Sequence, residues 1–132
     1  MSEPTKSTAR VLIVDDDDDM REILRIDLSE RGYDVRAADC GPAGIELAAS
    51  WRPDVVLLDL GMPGMDGYQV AQRLREEHAR AMRIVAFTGF SVESYLEKAI
   101  QAGFDAYVLK GTATMLEKIE ELIAGAAAGR SS

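Results

Sequence analysis

Five polar residues stand where short apolar runs end. Asp15 and Asp16 follow Val11–Val14, and Asp59 follows Val55–Leu58 in "VVLLDLGMPGMDG". Thr88 follows Ile84–Phe87 in "VAFTG", and Lys110 follows Ala106–Leu109 in "AYVLKG". If these runs are parallel strands of one sheet, their carboxyl ends share a rim, which is where such sheets bind ligands. Three carboxylates, a hydroxyl and an ammonium would then meet. Clustered carboxylates raise one another's pKa unless a cation joins them. A hard divalent ion suits oxygen donors, so Mg2+ is expected, with Mn2+ able to substitute. Such an ion neutralises a phosphoryl group in transfer, and a carboxylate beside it and a lysine can attack phosphorus.

The run "DDDDD" therefore divides. Asp15 and Asp16 are read as metal residues. Asp17, Asp18 and Asp19 are read as the start of a helix, where carboxylates accept from free N–H groups and suit the dipole. An EF-hand counted from Asp15 fails, because Met20 stands where its glycine belongs and Ile26 where its glutamate belongs. "GMPGMDG" is not a dinucleotide-binding fingerprint; it reads as a turn in which Asp66 caps a helix. His78 closes that helix, Trp51 is a packing residue, and Cys40 is a half-buried thiol at a helix boundary.

The elements that must position these residues alternate. The four apolar runs and a weaker one, Tyr33–Ala38, read as five strands, mostly buried on both faces. Helical spacing appears in Met20, Ile23, Leu24 and Leu28, in Ile45, Ala48 and Ala49, and in Val70, Ala71 and Leu74. It returns in Val92, Tyr95, Leu96 and Ala99, and in Met115, Leu116, Ile119, Leu122 and Ile123. Gly32 and Gly103 mark helix ends, while Ser91 and Thr112 or Thr114 mark starts. Five β-α repeats with buried strands imply a parallel sheet covered on both faces.

The chain has 132 residues, 29% charged and 47% hydrophobic, enough for one packed domain. Its net charge of −8 argues against a nucleic-acid surface. One cysteine allows no internal disulfide, and no apolar run approaches a membrane span of about 20 residues. The expectation is a cytoplasmic domain over residues 9–124, with flexible tails at 1–8 and 125–132.

The signatures "VLIVDDD", "PDVVLLDLGMPGMDG", "FTG" and "FDAYVLK", in that order, resemble the response-regulator receiver family of two-component signalling. The resemblance covers residues 9–124. It implies a flavodoxin-like α/β fold: a doubly wound five-stranded parallel sheet, order 2-1-3-4-5, with five helices. It implies that Asp59 is phosphorylated from a phosphohistidine on a sensor histidine kinase or a histidine phosphotransfer protein. Asp16 would bind Mg2+ directly, Asp15 mostly through water, with Asp59 and the Gly61 carbonyl completing the protein ligands. Lys110 would pair with phosphoryl oxygens. Thr88 would bond to the phosphoryl group, and Tyr107 would follow it as a switch. The surface of the fourth helix, fifth strand and fifth helix would then bind a downstream protein. Gly61 and Phe90 would tune hydrolysis.

One position departs from the family pattern. Gly111 follows Lys110 where the family has proline and a cis bond, so a trans bond is expected. Two rivals remain at this stage. A pseudo-receiver would bind partners without phosphorylation. An aspartyl-phosphate phosphohydrolase of the haloacid-dehalogenase-like type would need a second acid where Gly61 stands. On the leading reading the chain is no enzyme beyond its own phosphorylation and dephosphorylation.

Overall fold

The computed structural model describes residues 8–62, 64–79, 81–89 and 101–131, the last six by backbone only. In chain order the elements are β1 (Arg10–Val14), α1 (Asp18–Glu30), β2 (Asp34–Ala38), α2 (Gly41–Trp51) and β3 (Val55–Asp59). Then come α3 (Gly67–His78), β4 (Arg83–Thr88), β5 (Ala106–Leu109) and the C-terminal helix α4 (Met115–Ser131). All strand pairings are parallel and the order is β2-β1-β3-β4-β5.

Alternation along the central strands builds two cores. Leu12, Val14, Val56, Leu58, Ile84 and Ala86 face Ile45, Ala48 and Trp51 of α2 and Val70, Ala71 and Leu74 of α3. Val11, Ile13, Val55, Leu57, Val85 and Phe87 face Leu24 and Leu28 of α1 and Ile119 and Ile123 of α4. The period of two sends successive side chains to opposite layers, and helices cover both. β2 and β5 are the half-exposed edge strands, and β2 shows the alternation of a strand with one face open to solvent.

Local chemistry sets the helix ends. Asp17 caps α1 by accepting from the N–H groups of Asp19 and Met20. Asp66 and Gln69 form a reciprocal capping box at the start of α3. Gly32 and Gly103 both adopt left-handed φ, as expected of residues that end helices. Four helices are present among the described residues. The fourth predicted helix, with Ser91, Val92, Tyr95, Leu96 and Ala99, and also Phe90 and the segment 1–7, lie outside them.

The backbone of α4 is helical to Ser131. The run "GAAAGRSS" contains three alanines, the best helix formers, and continuing a formed helix fixes few further dihedrals. No described helix is long and apolar enough to cross a membrane.

Two arginine-centred junctions hold the far ends of the layers. Arg36 and Arg10 place guanidinium carbons 4.8 and 5.8 Å from the Trp51 ring centroid, and Arg10 Nη1 donates to the Trp51 carbonyl at 2.7 Å. Arg75 of α3 donates to the carbonyls of Gly103, Ala79 and Met82 at 2.8–2.9 Å and pairs with Asp105. Its side chain is largely buried, so truncation takes the donor from the partly buried carbonyl contacts at Gly103 and Met82. Arg75→Ala should lower unfolding free energy by about 2–4 kcal/mol, read from urea denaturation. A loss below about 0.5 kcal/mol would remove this role.

Candidate functional site

The sheet topology assembles the site. β1 and β3 are neighbours, with Val14 in register with Leu58, so Asp15 and Asp59 emerge side by side. β1 connects outward to β2 while β3 continues toward β4. The pair therefore sits at the reversal in strand order, where doubly wound sheets open a crevice. Thr88 ends β4 and is fully buried; Leu109 lies opposite it, which puts Lys110 at the same rim.

Asp15 is enclosed. Its N–H donates to the Ala38 carbonyl at 3.1 Å, and its Oδ1 accepts from the Asp17 N–H at 3.0 Å. Its Oδ2 lies 2.8 Å from Lys110 Nζ but off the axis of a hydrogen bond, so this buried oxygen is paired by charge alone. Asp59 Oδ2 is 3.7 Å from the same ammonium, and its Oδ1 accepts from the Gly61 N–H at 3.3 Å. Asp16 is exposed. One oxygen from each of Asp15, Asp16 and Asp59 lies within 4.8 Å of the others.

Two acids and one lysine do not balance in a buried space. Burial first, and then the charge of Asp15, push the Asp59 carboxyl up from 3.8 to about 6. Lys110 and the Gly61 N–H oppose this shift only in part. The donor set fits a hard divalent cation: oxygen ligands only, excess negative charge, and a buried carboxylate oxygen lacking a hydrogen bond. Gly61 belongs to the same loop and would offer its carbonyl.

The lysine is delivered without a cis bond. No peptide bond among the described residues is cis, and Gly111 takes φ +79°, a left-handed turn that glycine adopts without strain. The Lys110 N–H donates to the Thr88 carbonyl at 2.7 Å, and Nζ lies 5.4 Å from the centre of the Phe87 ring. Tyr107 is 41% exposed.

Asp15, Asp16, Asp59, Gly61, Thr88 and Lys110 therefore lie at the rim, Tyr107 lies on β5, and Phe90 is outside the described residues. Arg21 was missed by sequence reasoning. It lies one turn into α1 and donates to the Asp15 carbonyl; helical spacing alone does not signal such a bond. Gly67 was also missed. A Cβ there would collide with the Asp59 carbonyl oxygen and lie 2.8 Å from Leu60 Cα. Gly67→Ala should displace the loop beneath Asp59 and lower stability by about 1–3 kcal/mol in urea denaturation. An unchanged midpoint would mean that the loop yields freely.

Fold and site together define a doubly wound α/β module with its ligand crevice at the carboxyl ends of the strands. It places an acid cluster and a lysine at the switch point. Residues 11–123 match the family described as the response regulator receiver domain, and the chain belongs to that family. Response regulator MprA of Mycolicibacterium vanbaalenii is 40% identical over 115 residues, 87% of this chain and 47% of that protein. The chain thus spans about half the length of the curated relatives it matches. The response regulator TrrA of Thermotoga maritima, solved in complex with Mg2+ and BeF, is 33% identical with a TM-score of 0.76. That match covers 87% of this chain and 99% of TrrA. Chemotaxis protein CheY4 of Vibrio cholerae shares the fold with a TM-score of 0.81 at 24% identity, over 87% and 98% of the two chains.

Proposed function

We propose that this chain accepts a phosphoryl group on Asp59 and passes the signal on through a protein-binding surface. The reading rests above all on Lys110 lying within reach of both Asp15 and Asp59 inside an acid cluster. The donor is a phosphohistidine on a sensor histidine kinase or a histidine phosphotransfer protein. A carboxylate oxygen of Asp59 attacks phosphorus, the P–N bond breaks, and the imidazole leaves with the bonding electrons. The product is an acyl phosphate on Asp59.

Asp15, Asp16, Asp59 and the Gly61 carbonyl would hold Mg2+, which supplies charge neutralisation at the phosphoryl oxygens. Lys110 pairs with the same oxygens, and the Thr88 hydroxyl bonds to the phosphoryl group. Thr88 and Tyr107 then act as the switch, altering the face formed by the fourth predicted helix, β5 and α4. An exposed aromatic on β5 suits that role. With 23 acidic against 15 basic residues, the segment itself is read as binding proteins, not nucleic acid or membrane, in the cytoplasm. It turns over no separate substrate. Gly61 leaves the phosphohydrolase rival without its second acid.

The test is Mg2+ with a small-molecule phosphodonor, followed by intact mass. The expected result is one added phosphoryl group that Asp59→Asn removes. An unmodified chain, or modification surviving that substitution, would reject the proposal.

A further inference from the structure

We infer that Arg21 is a positioning residue for the metal end of the site, an inference that rests on the Mg2+ reading of the acid cluster. Arg21 Nη1 donates to the backbone carbonyl of Asp15 at 2.9 Å, and Nη2 donates to Asp18 Oδ1 at 2.5 Å. Its own N–H donates to the Asp17 carbonyl at 3.0 Å, within α1. One planar fork therefore joins the strand side of the β1–α1 turn to its helix side. The side chain is 22% exposed and its bond to the Asp15 carbonyl is partly shielded from water, while the Asp18 end of the fork faces solvent. An arginine fork makes two bonds in fixed relative directions, which a lysine cannot reproduce.

Asp16 sits inside the span that this fork closes. Asp15 is held independently, by Ala38, by the Asp17 N–H and by Lys110. Asp16 is exposed, and its carboxylate reaches the cluster only if the turn keeps its shape. Arg21 fixes that shape from outside the ligand set.

Charge and position predict opposite results. A guanidinium beside an acid cluster repels a divalent cation. If Arg21 were only a surface charge, removing it would tighten Mg2+ binding. If it positions Asp16, removing it weakens binding despite the relieved repulsion.

The experiment is calorimetric titration of the full chain with MgCl2, comparing wild type, Arg21→Gln and Arg21→Lys at about 0.1 M and about 0.5 M KCl. Melting of the metal-free proteins is measured alongside. Arg21→Gln should raise the Mg2+ dissociation constant about threefold to tenfold at both salt concentrations. Arg21→Lys, which keeps the charge but not the fork, should fall between that variant and wild type. Equal or tighter binding by Arg21→Gln overturns the inference. Should Arg21→Gln not fold, Arg21→Lys decides: wild-type affinity there overturns it. A wild-type chain that binds no Mg2+ would instead reject the metal reading, and this inference with it.

Discussion

Replacing Asp59 by Asn should abolish phosphorylation and, at the same time, make the metal-free chain more stable at pH 7.5. Burial and the neighbouring Asp15 charge raise the Asp59 carboxyl from 3.8 to about 6. A carboxyl whose pKa is higher folded than unfolded favours the folded state while it is protonated. That contribution is complete below about pH 4 and is lost as pH rises through about 6. Above that window the ionised group opposes folding. Two pKa units correspond to about 3 kcal/mol. That shift already includes the opposing charge of Lys110 3.7 Å away, and solvent at the rim screens it further, so the net gain should be about 1–2 kcal/mol. Thermal melts in a chelator should show the variant several degrees above wild type at pH 7.5, with the gap shrinking toward pH 4.5. A variant no more stable than wild type at pH 7.5 would mean that Lys110 fully compensates both acids.

The second large effect is that of the metal on the same quantity. A ligand that binds only the folded state stabilises it according to its concentration over its dissociation constant. At tenfold saturation this is about 1.4 kcal/mol, or a rise in melting temperature on the order of 5 °C for a domain of this size. Asp16→Ala should remove the rise. Asp16 is exposed and supplies one of the three clustered oxygens, so its loss should leave the metal-free fold nearly unchanged. A rise that survives Asp16→Ala would place the ion elsewhere.

The parts of the fold visible in the sequence were those with a period. β1, β3 and β4 are buried on both faces and read as continuous apolar runs. β2, on the edge, gave only alternation. The candidate site was legible because strand ends in a parallel sheet share a rim, so five residues at four strand ends could be grouped before any contact was known. Asp17 and Asp66 were legible as caps for a local reason, since each accepts from N–H groups two or three residues onward. What escaped was long-range and aperiodic. Arg75 reaches Gly103 and Asp105 across α3, and Asp54 accepts from the Arg10 N–H across two strands. Nothing in the spacing of those residues marks the contact.

Trp51 sits beneath Arg10 and Arg36, beside the residue that opens β1, and the acid cluster lies past the other end of that strand. It is the chain's single tryptophan. The protein thus carries a built-in fluorophore seated on the global fold and remote from Asp59. Its emission should follow cooperative unfolding while staying nearly blind to Asp59 chemistry. Folding can then be followed by emission in the same sample whose modification is read by intact mass.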